Sequence, residues 1–210
     1  ARSRARKERR LLDQVMFVAE ARLTLQLIGS NAIVKPLHAD CGNRPDIWRG
    51  PVVPVGLAAV EKNAEFGGEM TIHHDCNISE LSIRQIRNTR EEDLAPFALR
   101  MDVFKFDGSF LSLALPLPSA AVDNLQRRHL IRIEAQLEFE QPLEIFARLN
   151  IRHGPNVEQL VREIPKGQDS VVVEFDLAYS EINEKRVENA WVDLIFEGPS
   201  MNQVIIRDLT

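Results

Sequence analysis

His129-Leu-Ile-Arg-Ile-Glu-Ala-Gln-Leu-Glu-Phe139 is the stretch that decides the fold class. Side chains of an extended chain point alternately to opposite faces. Ile131, Ile133, Ala135, Leu137 and Phe139 therefore share one face, and Arg132, Glu134, Gln136 and Glu138 the other. That is a strand with one side on a core and one in water. Val171, Val173, Phe175 and Leu177 repeat the scheme opposite Glu174 and Asp176. A sheet with one apolar face needs a cover, and a second sheet supplies it. Leu137 and Phe175 are thus expected in the core, on facing or adjacent strands.

Working outward, strands are expected at Glu69–His74, Ser79–Arg87, Ala98–Phe106, Ser109–Leu117, Leu143–His153 and Glu158–Ile164, then at Trp191–Glu197 and Gln203–Leu209. Phe106-Asp-Gly-Ser109 reads as a two-residue hairpin with positive φ at Gly108, because Asp-Gly suits such turns. His153-Gly-Pro-Asn156 and Pro165-Lys-Gly-Gln168 are further turns. Helical pieces are short, near Ser119–Leu125 and Ile182–Val187. Gly29 to Gly68 is broken by Gly and Pro, with an edge strand expected near Pro51–Leu57. Upstream, residues 4–20 carry an apolar stripe at helical spacing (Leu11, Leu12, Val15, Met16, Val18 and Ala19). Alternation then resumes at Arg22–Ile28. The expected organisation is an all-β, antiparallel jelly-roll-like sandwich over 22–210, with a basic amphipathic helical arm over 1–21.

The 210 residues are 44% hydrophobic and 27% charged, an ordinary globular balance. The apolar runs are far too short to span a bilayer, and no signal-peptide pattern is present. Two cysteines cannot build a disulfide scaffold, so a reducing, cytoplasmic setting is expected. Charge is uneven: residues 1–10 hold six basic side chains and one acid, whereas the rest hold 20 basic and 30 acidic. A basic arm on an acidic body suits an anionic partner surface. The acidic body argues against nucleic acid as the main ligand.

Chemical motifs are scarce. There is no nucleophile elbow, P-loop or dinucleotide fingerprint. Glu138 and Glu140 lie on the polar side of one strand, which a solvated sheet surface explains. His38-x-x-Cys41 and His74-x-Cys76 together supply a ligand set that tetrahedral zinc accepts, although 32 residues separate the pairs. Arg84, Arg87 and Arg90 form a basic patch if their strand is bulged. Trp48, in Arg44-Pro-Asp-Ile-Trp-Arg49, is expected to make a surface contact, whereas Trp191, opening a strand, is expected to be buried. No cofactor is expected.

The closing segment, Trp191-Val-Asp-Leu-Ile-Phe-Glu-Gly-Pro-Ser-Met-Asn-Gln-Val-Ile-Ile-Arg-Asp-Leu-Thr210, resembles the end of jelly-roll domains of the carbohydrate-binding-module and galactose-binding-like type. That resemblance implies a structural calcium at Asp208. Asn88-Thr-Arg-Glu-Glu-Asp-Leu-Ala-Pro-Phe97, Phe106-Asp-Gly-Ser-Phe-Leu-Ser112, Ile145-Phe-Ala-Arg-Leu-Asn150 and Asn183-Glu-Lys-Arg-Val187 are similar to stretches of an uncharacterised alphaproteobacterial family, a domain of unknown function. It implies no activity.

The functional expectation is a non-catalytic recognition or assembly module that binds a protein partner through a sheet face or loops. Trp48, Arg84, Arg87 and Arg90 are its expected contacts, with Arg4, Arg6, Lys7, Arg9 and Arg10 on the arm. The alternative is a glycan-binding module, implied by the resemblance. A groove lined by polar groups beside an exposed aromatic favours glycan. A flat apolar patch favours protein, and a deep pocket of converging carboxylates or histidines favours catalysis.

Overall fold

The computed structural model describes residues 2–23, 33, 35–77 and 79–210. A helix, α1 (Arg2–Leu23), comes first, and one helical turn, α2 (Asp46–Arg49), follows. Then come β1 (Gly56–Ala58), β2 (Ala64–Phe66), β3 (Met70–His74), β4 (Glu80–Arg87), β5 (Phe97–Lys105) and β6 (Leu111–Pro116). A short α3 (Ser119–Val122) leads to β7 (Leu130–Phe139), β8 (Glu144–His153) and β9 (Asn156–Glu163). β10 (Ser170–Asp176), β11 (Val187–Glu197) and β12 (Asn202–Leu209) complete the chain. No helix among the described residues is long and apolar enough to cross a membrane.

The strands form two six-stranded sheets, ordered β1-β4-β5-β12-β7-β10 and β2-β3-β6-β11-β8-β9. The pairings are antiparallel throughout. From β5 onward the chain passes repeatedly from one sheet to the other, which is a jelly-roll-like sandwich. Its core is built from the apolar phases read in the sequence. Leu137 and Phe175 are almost wholly buried on the adjacent strands β7 and β10. Gly154 and Gly167 take positive φ in the two turns expected at them.

Helix and hairpin expectations need correcting at two places. α1 runs on through Arg22 and Leu23, the first two residues of the expected alternating strand, and the rest of that strand (24–28) lies outside the described residues. The Asp107-Gly108 pair does not close a hairpin, because β5 pairs in the first sheet and β6 in the second. Local turn chemistry is overruled by the strands' non-local partners. Gly108 does not have a positive φ. It is needed for close approach: a Cβ there would stand 2.3 Å from Asp75 Oδ1 and 3.0 Å from the Cys76 nitrogen. The Asp75 carboxylate is drawn in by Ser109, whose N–H (2.7 Å) and hydroxyl (2.6 Å) both donate to it. The same hydroxyl bond leads in lowering the Asp75 carboxyl below the usual range.

The irregular segment before β1 closes the sandwich. Trp48 and Ile47 are fully buried, and the indole N–H donates to the Ile206 carbonyl at 2.8 Å. Gln85 points inward from β4; its amide donates to the Ile47 and Gly50 carbonyls (2.6 and 2.7 Å) and accepts from the Val52 N–H at 3.0 Å. On the second sheet's side, Ile47 lies against Gly67, and its N–H donates to Glu69 at 2.9 Å. α2 therefore ties one sheet to the other. The expected surface role of Trp48 is corrected: an indole with its N–H satisfied is an efficient plug for an apolar gap.

Two outcomes follow from these contacts. Gly108→Ala should destabilise the fold by about 1–3 kcal/mol in urea melts, with a smaller loss when Asp75 is also alanine. Equal losses in both backgrounds would refute the close-approach account. Burial, against the opposing pull of the Ile47 N–H, raises the Glu69 carboxyl above its ordinary range. The folded state thus holds this proton more tightly than the unfolded chain, and ionisation costs stability as pH climbs past the unfolded value. Glu69→Gln keeps an acceptor for Ile47, so it should stabilise the fold at about pH 7 but not at about pH 3, where both side chains are neutral. Denaturation at both values checks the sign.

Candidate functional site

The outward face of the second sheet carries the constellation that calls for explanation. On β11, Ala190, Val192, Leu194 and Phe196 enter the core, so Trp191, Asp193 and Ile195 face out. On β8 the outward residues are Phe146, Arg148 and Asn150, paired with Ile195, Asp193 and Trp191 in turn. On β6 the outward residues are small: Ser112 stands opposite Ile195 and Ala114 opposite Asp193. β3 adds Thr71 and His73 beyond them.

Outward residues at the middle of a sheet are normally wet, yet Ser112 is 4%, Asn150 1% and Asp193 3% exposed. The small β6 side chains lie between Trp191, Asp193 and Ile195 of β11 on one side and Thr71 and His73 of β3 on the other. Trp191, partly exposed, stands at the end beside its cross-strand neighbour Pro116.

A buried carboxylate must be paired and hydrogen-bonded to be tolerated. Asp193 Oδ2 accepts from Arg148 Nε and Nη2 at 2.9 and 2.7 Å, and from Asn150 Nδ2 at 2.9 Å. Asn150 Oδ1 in turn accepts from Gln159 on β9 at 3.1 Å. Among the described residues, every such bond to this carboxylate falls on Oδ2, and Oδ1 receives none. Asp193 is thereby a fixed acceptor on the same sheet face as the partly exposed Trp191 ring.

The site residues expected from sequence lie elsewhere and are not brought together. Arg84 is exposed on β4 between Gly56 and Arg100. Arg87 sits 6.0 Å over the Phe97 ring. Arg90 pairs with Glu138, whose carboxyl the Arg207 guanidinium holds below the usual range. Arg4, Arg6, Lys7 and Arg9 are exposed along α1, while Arg10 reaches Asp46 at 2.5 Å.

The zinc ligand set does not assemble. His38 and Cys41 are exposed, His74 Nε2 bonds the Val60 carbonyl at 2.9 Å, and Cys76 is buried near Gly108. Among the described residues no three such side chains group around a metal position. The calcium implied at Asp208 does not fit either. Arg44, itself buried, takes both Asp208 oxygens at 2.7 and 2.8 Å, so a guanidinium stands where a cation would. A cavity of about 200 Å³ lies between Phe139, Leu143, Ile145 and Ile164. It is smaller than typical ligand sites of roughly 300–1,000 Å³.

Arg148, Asn150, Gln159, Asp193 and Trp191 were the residues to find. The signal was present in the alternation: Trp191 shares the phase of Asp193, opposite to Val192 and Leu194, and is therefore outward. Its expected burial is corrected on that ground.

No curated protein matches the sequence. Among solved structures, the chain is similar to the enzymatically active domain of tailspike protein 4 from bacteriophage CBA120, with 6% identity and a TM-score of 0.47. The match covers 67% of this chain and only 19% of the tailspike chain. A family 11 carbohydrate-binding module from Clostridium thermocellum shows 9% identity and a TM-score of 0.43, over 67% of this chain and 86% of the module. The xylan-binding CBM22-2 domain of Paenibacillus barcinonensis Xyn10C shows 8% and 0.41, over 66% and 89%. Along residues 1–210 the sequence matches DUF6478, a family of unknown function, and the chain belongs to that family.

Proposed function

We propose that the chain is a non-catalytic recognition module and that the outward face of β6, β8 and β11 binds carbohydrate. The observation that carries this reading is the placing of the partly exposed Trp191 and the preset Asp193 acceptor on the same outward side of β11. An indole offers a flat apolar face of the kind that packs on the C–H side of a sugar ring. Asp193 Oδ1 accepts from a ring hydroxyl, and a charged acceptor makes such a bond shorter and stronger. Arg148 and Asn150 already hold the carboxylate, so little ordering is left to do on binding. The ion pair between Arg148 and Asp193 keeps the site near neutrality, which suits a ligand rich in hydroxyls. Function as a separate sandwich domain with an appended arm is part of the same proposal.

A protein partner is the second reading, favoured by Phe104 (59% exposed) and Met201 (68%), which are linked by the Met201 N–H on the Phe104 carbonyl. Two side chains make a patch too small to stand for a stable interface.

Affinity electrophoresis against a panel of soluble polysaccharides tests the first reading. At least one polysaccharide should retard the protein, and Trp191→Ala should weaken that binding by about 2 kcal/mol, roughly thirtyfold. The variant should melt close to the parent, since Trp191 lies outside the core. Retardation by none of the panel, or retention of affinity in Trp191→Ala, would overturn the proposal.

A further inference from the structure

α1 carries an apolar stripe that the fold turns away from itself. Leu11, Leu12, Val15 and Met16 are 54–65% exposed. The helix is tethered from another side: Arg10 Nη2 meets Asp46 at 2.5 Å, and its guanidinium lies against Gly68. At 100° per residue the centre of the stripe sits about 170° round the helix from Arg10. The ion pair that docks α1 thus points the four apolar residues outward.

Charge narrows what covers them. Arg4, Arg6, Lys7 and Arg9 are exposed just upstream, and the first ten residues hold six basic side chains against one acid. Two copies of α1 side by side would bring like charges together. Nucleic acid has no use for an apolar stripe and meets an acidic body. Basic residues in a first helical turn also oppose the helix dipole, although Arg4 pairs with Glu8 at 3.1 Å and Arg9 meets Asp13 at 3.9 Å. A helix that joins a basic segment to an exposed apolar stripe suits an anionic bilayer, which supplies negative headgroups and apolar depth together.

We propose that α1 docks the protein on an anionic lipid surface, with Leu11, Leu12, Val15 and Met16 entering the acyl boundary and Arg4, Lys7 and Arg9 on its flanks lying on the headgroups. The helix lies in the plane of the surface, and the Arg10–Asp46 pair holds the sandwich above it. This docking is independent of the carbohydrate site proposed above.

Vesicle co-sedimentation of the whole chain tests it, comparing phosphatidylserine-containing with pure phosphatidylcholine vesicles. The protein should bind the first and not the second, and added salt should release it. Replacing Arg4, Lys7 and Arg9 with alanine should lower partitioning roughly a hundredfold. Leu12→Asp with Val15→Asp should lower it roughly tenfold or more. Both variants should melt like the parent, and Trp191→Ala should bind vesicles unchanged. Emission from Met16→Trp should shift to the blue on the anionic vesicles. Failure to bind phosphatidylserine vesicles, equal binding by the charge and stripe variants, or a concentration-dependent dimer lost in those variants would overturn the proposal.

Discussion

The sandwich is closed by one buried ion pair. Arg44, 2% exposed, grips both oxygens of Asp208, 4% exposed and 164 residues later in the chain. Removing either partner would leave a buried charge alone, a change that typically costs about 3–5 kcal/mol. The pair anchors the segment that delivers Ile47 and Trp48 into the gap between the sheets. The last strand cooperates through a bulge between Ile206 and Asp208. The alternation carries on across it: Ile206 and Asp208 are buried, with Asp208 on Arg44, while Arg207 between them reaches out to Glu138.

With this end sealed, the second sheet is free to present a polar outer face. The two faces are built on different rules. Inward positions of β6, β8 and β11 are aliphatic or Phe, with His153 at the end of β8, and make the shared core. Outward positions combine small β6 residues with a carboxylate held by two neighbours. Such a network is stable only if its members are satisfied, and among the described residues the bonds to Asp193 all fall on Oδ2. The first sheet's outer face has charge pairs too, such as Arg132 with Glu174 and Arg207 with Glu138, but their acids and bases are spent on each other.

Much of the fold was legible because period-two alternation is a local property. β7 and β10 were read with their inward residues correctly named, and the other long strands fall within a few residues of their expected ends. What escaped was non-local. Asp107-Gly108 obeys the hairpin rule, yet β5 and β6 belong to different sheets, and only the β5–β12 and β3–β6 pairings decide that. Trp48 sits among prolines and glycines, where nothing in the spacing marks it as a plug, and Gln85 breaks an apolar phase to hold backbone 47–52. The residues of this outward face were half legible. Alternation places Trp191, Asp193, Arg148 and Asn150 on the outside, but their convergence depends on β8 and β11 being neighbours. The exposed side of α1 could not be read either, since the Arg10–Asp46 contact that orients it spans 36 residues.

The central claim is that recognition happens on the outward face of β6, β8 and β11. Nuclear magnetic resonance titration of the labelled protein, using an oligosaccharide cut from whichever polysaccharide binds, addresses it most directly. The account predicts that the Trp191 indole N–H and the Asn150 and Gln159 side-chain amides shift first and furthest, with the Trp48 indole N–H unmoved. Shifts centred on the loops around Phe104 and Met201, or on the first sheet near Arg84 and Glu138, would contradict it.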